Sequence, residues 1–175
     1  MVTKSGVHMI QFISLKYLFY LILFFCLAIS ALPEIKKNDT APRINLRDMD
    51  NRFVFVSNEL KDKPVLVIFF FTACVPCKKE MPELEKLYIS YKQKVSMYLI
   101  STDSEGSDAV RPYINKMKIT IPVLIDKYSD VTKLYGIDKY PSMVLIGKNG
   151  KIIFLTNGYN EDNIAKLEEI LKKMK

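Results

Sequence analysis

The chain has 175 residues and a formal net charge of +7, with 26 lysine and arginine residues against 19 acidic ones. This length fits a single domain with a sizeable core, and 49% hydrophobic residues is an ordinary globular composition. The lysines are spread along the chain and do not interleave with aromatic residues. The composition therefore argues against nucleic-acid binding and favours a solvated basic surface.

Residues 1–32 are predicted to be a signal peptide or an N-terminal membrane anchor. Lys4 and Lys16 precede an uncharged apolar run over residues 17–32. That run is closer in length to the core of a signal peptide than to the roughly 20 residues that a membrane-spanning helix needs. Cleavage before Ala31 and retention of the segment both remain open.

Either outcome places the domain outside the cytoplasm, because the two lysines would stay on the cytoplasmic side. A cleaved chain would be secreted or periplasmic. An uncleaved chain would be anchored by residues 7–32 to the outer face of the cytoplasmic membrane. Export would place the later cysteines in an oxidising compartment.

The remaining residues predict one α/β domain. Polar residues 33–40 carry no periodicity and are expected to form a linker, so the domain is predicted over residues 41–175. Its predicted strands and helices alternate, which indicates βαβ units with a mainly parallel central sheet. The predicted strands cover residues 44–46, 53–56, 65–71, 95–101, 119–125, 142–146 and 151–155. The predicted helices cover residues 74–92 and 107–117, a short segment ending at Gly136, and residues 160–175.

Two cysteines lie where the apolar strand over residues 65–71 meets the following helix. Cys74 is predicted at the helix N-terminus, and Cys77 follows on nearly the same face. Free backbone N–H groups and the positive end of the helix dipole favour a thiolate on Cys74. A thiolate attacks disulfides and a thiol does not, so the pair predicts dithiol redox chemistry.

Other uses of the cysteine pair fit the sequence less well. A zinc site needs about four ligands, and outside the pair the chain offers His8 and Cys26. Covalent haem attachment requires a histidine after the second cysteine, where this chain has Lys78. An inert disulfide across two residues would gain little from loop closure. No metal ion and no cofactor is therefore expected.

Several segments together resemble one known family. They are residues 41–42 with the hairpin predicted from the strands over residues 44–46 and 53–56, and residues 63–67, 74–82, Asp103, 140–141 and 147–152. In these the chain resembles the TlpA/ResA group of the thioredoxin superfamily, which are exported, membrane-tethered or periplasmic thiol-disulfide oxidoreductases. The resemblance covers about residues 41–175. It implies a thioredoxin fold: a central mixed β-sheet flanked by helices, with an N-terminal β-hairpin and an inserted α/β segment.

The resemblance also implies roles for individual residues. Cys74 matches the nucleophile, Cys77 the resolving thiol and Glu80 an acidic residue that tunes their ionisation. Pro141 matches a cis-proline that helps present backbone to an extended substrate. The implied substrate contacts around these positions are Ala73, Val75, Pro76 and Tyr140.

Three positions depart from related patterns. Ala73 replaces a common tryptophan, which predicts a flatter rim to the site. Ile68 stands where cytoplasmic thioredoxins carry a buried aspartate that assists proton transfer, so Glu80 is the nearest candidate for that task. Phe71 occupies the place of the threonine that a peroxiredoxin would require.

The predicted function is reduction of disulfides in exported proteins. The resemblance implies electrons from a transmembrane donor of the CcdA or DsbD type, and apocytochrome c among the protein substrates. The sequence leaves two alternatives open, a disulfide oxidase or isomerase and a non-catalytic thioredoxin-like binding module. The direction of transfer depends on the reduction potential, which the residues between the cysteines do not provide.

Overall fold

A computed structural model of the protein describes residues 17–20, 22 and 35–174. Residues 17–20 and 22 are helical, and residues 35–174 lie in a compact unit of their own. Most of the predicted targeting segment lies outside the described residues. Within them, no helix combines the length and the apolar character that crossing a membrane requires.

The compact unit is organised around a seven-stranded mixed sheet. Its strands are β1 (Asn45–Asp48), β2 (Phe53–Phe55), β3 (Val65–Phe70), β4 (Ser96–Ser101), β5 (Val123–Ile125), β6 (Ser142–Ile146) and β7 (Ile152–Leu155). Their order in the sheet is β2-β1-β5-β4-β3-β6-β7. The central strands β3, β4 and β5 are parallel, and the outer pairs are antiparallel.

Five helices of the unit cover the two faces of this sheet. They are α1 (Val56–Glu59), α2 (Val75–Tyr91), α3 (Ser107–Met117), α4 (Asp130–Leu134) and α5 (Asp162–Lys173). The segment between β4 and β6 contributes α3, β5 and α4, with β5 joining the sheet beside β4. The structure therefore confirms the predicted thioredoxin fold, with its N-terminal β-hairpin and its inserted α/β segment.

Strand β3 lies inside the sheet between β4 and β6, and all six of its residues are buried. Successive side chains of a strand point to opposite faces. One set, Leu66, Ile68 and Phe70, packs in a core with residues of α2, α3 and α5. The alternate set packs in a second core with residues of α1 and α4. This double burial explains the uninterrupted apolar run and holds the loop after β3 between two cores.

Several predicted strand boundaries differ from the structure, and two of these differences have an identifiable cause. Val56 was expected to end the second hairpin strand, but it begins α1. The Val56 side chain is 2% exposed. A buried apolar residue fits the end of a strand and the start of a helix equally well, so the sequence pattern did not locate the boundary. The strand predicted over residues 119–125 is confined to β5. Ile119 is still bonded to the end of α3, its N–H donating to the carbonyl of Ile114, and Pro122 has no N–H to donate to a sheet.

The folded unit begins earlier than the expected position 41. Ile35 is 8% exposed and packs in the second core. The backbone N–H groups of Asn38 and Ala41 donate to the carbonyls of Ile152 and Gly150, each at 2.9 Å. This segment therefore forms backbone hydrogen bonds with the residues at the start of β7. Polar side chains do not reveal such bonds, so the sequence predicted a linker here.

Candidate active site

Cys74 is the N-cap residue of α2, with Val75 and Pro76 in the first helical turn. Proline is well suited to this turn because its missing N–H would have no helical partner. The Cys74 sulfur accepts the backbone N–H of Cys77 at 3.1 Å. The sulfur therefore takes the place that a serine or aspartate oxygen fills at other helix N-termini.

Cys74 and Cys77 are joined by a disulfide, with an S–S distance of 2.02 Å and a Cα–Cα distance of 5.3 Å. Cys74 is 4% exposed and Cys77 is 1% exposed. Cys74 was expected to be the surface cysteine of the pair. In the disulfide form the difference in exposure between the two residues is small.

Residues beside Cys74 form an exposed rim. Ala73 and Pro76 are exposed, and the Val75 side chain is 78% exposed, the largest value among the exposed large hydrophobic residues of the described chain. These three residues flank Cys74 in sequence and are the exposed residues beside it.

Tyr140 and Pro141 lie just before strand β6, which is the neighbour of β3 in the sheet. The Tyr140–Pro141 peptide bond is cis, the isomer that the resemblance implies. Strand β6 begins at the next residue, Ser142, which pairs with Phe69 of β3. The half-buried Tyr140 ring packs edge-on against Phe71, with ring centroids 5.2 Å apart, and Pro141 is buried. The start of β6 and the end of β3 therefore come together beside the cysteines.

Glu80 lies on α2 one turn after Cys77 and is 3% exposed. Neither of its carboxylate oxygens has a hydrogen-bond partner among the residues that the structure describes. Burial raises the pKa of Glu80 from 4.5 to about 7, because desolvation disfavours the charged form. A carboxyl group that titrates near neutral pH can hold or release a proton under ordinary conditions.

A groove of about 490 Å³ runs between the first half of α2 and the start of α5. Glu80 lines it together with Lys79, Tyr159 and Glu161, and with further residues of α5. The Lys79 ammonium lies 3.5 Å from the Glu161 carboxylate and 5.2 Å from the centre of the Tyr159 ring. Sequence analysis did not identify Tyr159 and Glu161, because they lie about 80 residues from Lys79 along the chain.

Asp103 anchors the loop that carries Cys74. Its carboxylate accepts the backbone N–H and the hydroxyl of Thr72, two residues before the cysteine. The sequence identified Asp103 as part of the family pattern without a role. Its place directly after β4, the strand beside β3, was the available signal, because neighbouring parallel strands end at the same edge of a sheet.

Nothing in residues 17–20, 22 and 35–174 forms a group of three or more histidine, cysteine or acidic side chains that could hold a metal ion. Within that part of the chain the chemistry available at the site is thiol-disulfide exchange by the cysteine pair.

Comparison with known proteins agrees with this geometry. The Redoxin family model matches residues 36–171. The thiol-disulfide oxidoreductase ResA of Bacillus thuringiensis subsp. konkukian is 36% identical over 135 residues, covering 77% of this chain and 76% of the relative. ResA of Halalkalibacterium halodurans is 30% identical over 138 residues, covering 78% of each protein.

Solved structures show the same fold. The thioredoxin domain of a thiol-disulfide oxidoreductase from Bacteroides vulgatus is 29% identical with a TM-score of 0.68, covering 79% of this chain and 99% of that one. The thiol:disulfide interchange protein DsbE from Chlorobium tepidum has a TM-score of 0.72 at 23% identity, covering 79% and 98%. The chain therefore belongs to the Redoxin family and is a ResA-like thiol-disulfide oxidoreductase of the thioredoxin superfamily.

Proposed function

We propose that this protein reduces disulfides in exported proteins, with Cys74 as the nucleophile and Cys77 as the resolving thiol. The observation that carries the proposal is the position of Cys74, which caps α2 with its sulfur on the N–H of Cys77 beside an exposed apolar rim. In the reduced protein the same N–H and the helix dipole stabilise a thiolate on Cys74.

Two exchange steps follow. The Cys74 thiolate attacks one sulfur of the substrate disulfide, forming a mixed disulfide, and the released substrate thiolate takes up a proton. Cys77 then loses its proton and attacks the Cys74 sulfur. The mixed disulfide breaks, the second substrate sulfur leaves as a thiolate, and the enzyme pair is oxidised. The enzyme supplies two electrons and the Cys77 proton. The second proton of the substrate dithiol comes from solvent, because Cys74 begins as a thiolate.

Glu80 is the proposed proton acceptor for Cys77. It follows Cys77 by one helical turn, has no competing partner and has a pKa raised by burial to about 7. Glu80→Gln should slow thiol exchange and flatten its dependence on pH near 7. Unchanged pH–rate behaviour would remove Glu80 from the mechanism.

The substrate is proposed to bind as an extended segment across Ala73, Val75 and Pro76 on one side and Tyr140 and Pro141 on the other. The first three are exposed, and Tyr140 packs on the residue that follows β3. The CxxCH segment of apocytochrome c is one proposed client. A transmembrane donor of the CcdA or DsbD type would return the pair to the dithiol form.

The direction of transfer is tested by the equilibrium between the reduced and oxidised full-length protein in glutathione buffers. A potential near that of thioredoxin, about −270 mV, supports a reductant. A potential near that of DsbA, about −120 mV, would instead support a disulfide oxidase. Full function after Cys74→Ser would support the non-catalytic binding module.

An extracytoplasmic location is proposed from the apolar run over residues 17–32 with Lys4 and Lys16 before it. In intact cells, a membrane-impermeant thiol reagent should label the reduced protein at Cys74. Labelling only after the cells are lysed would contradict this location. Fractionation would then distinguish a secreted chain from one retained by residues 7–32.

A further inference from the structure

We propose that Asp103 is a positioning residue for the dithiol reaction, which holds the turn before Cys74 so that the sulfur stays at the start of α2. The proposal rests on the proposed roles of Cys74 and Cys77. Asp103 does not touch the substrate or the reacting sulfurs in this proposal. It acts through Thr72.

The contact between Asp103 and Thr72 is formed by several hydrogen bonds. The Thr72 backbone N–H donates to both carboxylate oxygens of Asp103, at 3.1 and 3.0 Å, and the Thr72 hydroxyl donates to one of them at 2.6 Å. The Ser101 hydroxyl donates to the other oxygen at 2.8 Å. Hydrogen bonds to a charged acceptor are stronger than those between neutral groups.

Thr72 lies inside the turn that presents Cys74. The Cys74 N–H donates to the carbonyl of Phe71 at 3.1 Å, which closes a turn with Thr72 and Ala73 at its centre. Ala73 is exposed. Besides the packing of Phe71 on Tyr140, the bonds from Thr72 to Asp103 hold this turn, and they tie it to the end of β4.

Displacement of the turn would act on the sulfur in two ways. Cys74 would lose its place as the N-cap, and with it the 3.1 Å contact between its sulfur and the Cys77 N–H that favours a thiolate. The attacking sulfur would also move relative to Cys77. A misplacement of about 1 Å costs on the order of a hundredfold in rate in well-aligned reactions.

The chain contains a matched control for this contact. Glu85, in the second half of α2, accepts the backbone N–H of Thr120 at 2.9 Å, the Thr120 hydroxyl, and the N–H of Ile121 at 3.3 Å. This carboxylate–threonine contact joins α2 to the segment before β5 and includes no residue of the turn before Cys74. Loss of either contact should affect folding, but only loss of the Asp103 contact should affect the sulfur.

The test compares Asp103→Asn and Asp103→Ala with Glu85→Gln and Glu85→Ala in the reduced full-length protein. The first readout is the rate of Cys74 alkylation by iodoacetamide between pH 4 and pH 10. At pH 7 we expect Asp103→Ala to slow alkylation about tenfold and Asp103→Asn less, with the midpoint of the pH profile raised. We expect both Glu85 variants to keep the parent rate and midpoint.

The second readout is the equilibrium constant with oxidised glutathione, which should change in the Asp103 variants and stay constant in the Glu85 variants. Thr72→Val removes one hydroxyl donor and leaves the backbone bonds, so it should give a smaller change in the same direction. It also provides the test if Asp103→Ala does not fold.

Parent alkylation rates and midpoints in all the folded Asp103 and Thr72 variants would overturn the proposal, as would equal slowing in the Glu85 variants. Failure of the proposed function has a separate signature. In that case Cys74 of the parent protein itself would react no faster than an ordinary free cysteine.

Discussion

The two halves of α2 contain glutamates in opposite environments. Glu80, near the cysteines, is 3% exposed, and within the described part of the chain neither carboxylate oxygen has a hydrogen-bond partner. Glu85, five residues later, is half-buried, and its carboxylate accepts two backbone N–H groups and a hydroxyl. The first arrangement disfavours the charged side chain of Glu80. The second gives both carboxylate oxygens of Glu85 a hydrogen-bond donor.

Along α2, the groups proposed to take part in the reaction and the groups that only stabilise the fold therefore lie in different halves of the helix. The N-terminal half of α2 contains the cysteine pair, a carboxyl with a pKa raised by burial and an exposed apolar rim. The second half contains Glu85, whose two carboxylate oxygens both accept hydrogen bonds. Burial of Glu80 without a partner lowers the stability of the fold. The same burial gives the N-terminal half of α2 a carboxyl group that titrates near neutral pH.

The strongest way to test the comparison is Cys74→Ser. We expect disulfide reduction to fall below about 1% of the parent rate, because a serine hydroxyl is hardly ionised at neutral pH and does not exchange with disulfides. Turnover with a small disulfide such as oxidised glutathione measures this. Cys77→Ser is the matched control, since it should keep fast alkylation of Cys74 and accumulate the mixed disulfide. Residual turnover above that level in Cys74→Ser would place the nucleophile elsewhere.

Glu80→Gln should increase the free energy of unfolding of the oxidised protein at alkaline pH. A folded pKa of about 7 against an ordinary 4.5 means that above pH 7 the folded protein holds an uncompensated carboxylate. That cost is about 3 kcal/mol; it decreases as the pH falls from 7 to 4.5 and is absent below 4.5. Urea unfolding at pH 8 and pH 4 should therefore show a stabilisation that is larger by about this amount at pH 8. An effect independent of pH would show that the buried carboxyl is not the source.

Glu85→Gln should lower the free energy of unfolding by about 1 kcal/mol, because an amide has one acceptor oxygen and the carboxylate has two. We expect the rate of disulfide reduction to stay at the parent value. Urea unfolding and turnover measured on the same preparation check both points. A decrease in turnover larger than about twofold would contradict the division of α2 into a chemical half and a structural half.

Val75→Ser should have the smallest effect on stability, within about 0.5 kcal/mol, because the side chain is 78% exposed. It should raise KM for a protein disulfide and leave turnover of oxidised glutathione unchanged. Ile89→Ser is the matched control, since Ile89 is an apolar residue 60% exposed near the other end of α2. Equal effects of the two variants on KM would remove Val75 from the substrate surface.

Local signals in the sequence were sufficient for much of the fold. The apolar run of β3 reported burial on both faces, and the cysteine spacing with Pro76 reported a helix that begins at Cys74. Both depend on residues close together in the chain. The start of β5 and the switch from β2 to α1 were predicted wrongly, because burial of Val56 satisfies either conformation and Pro122 interrupts backbone pairing.

Contacts between distant segments could not be predicted in the same way. Asp103 reaches Thr72 across 31 positions, and Lys79 reaches Glu161 across 82. The missing partner of Glu80 is equally invisible, since a glutamate in the first turns of a helix is ordinary in sequence. Pairing and isolation of polar groups depend on how strands and helices are packed, which spacing along the chain does not encode.

Residues 38–41 have a practical consequence for producing the protein. They form hydrogen bonds with backbone groups at the start of β7, which is an edge strand of the sheet. A fragment that begins after Ala41 would lack these hydrogen bonds, so backbone groups at the β7 edge would be unpaired. An unpaired edge can pair with another chain, and we expect such fragments to aggregate. Soluble versions of the domain should keep the chain from Ile35 onward.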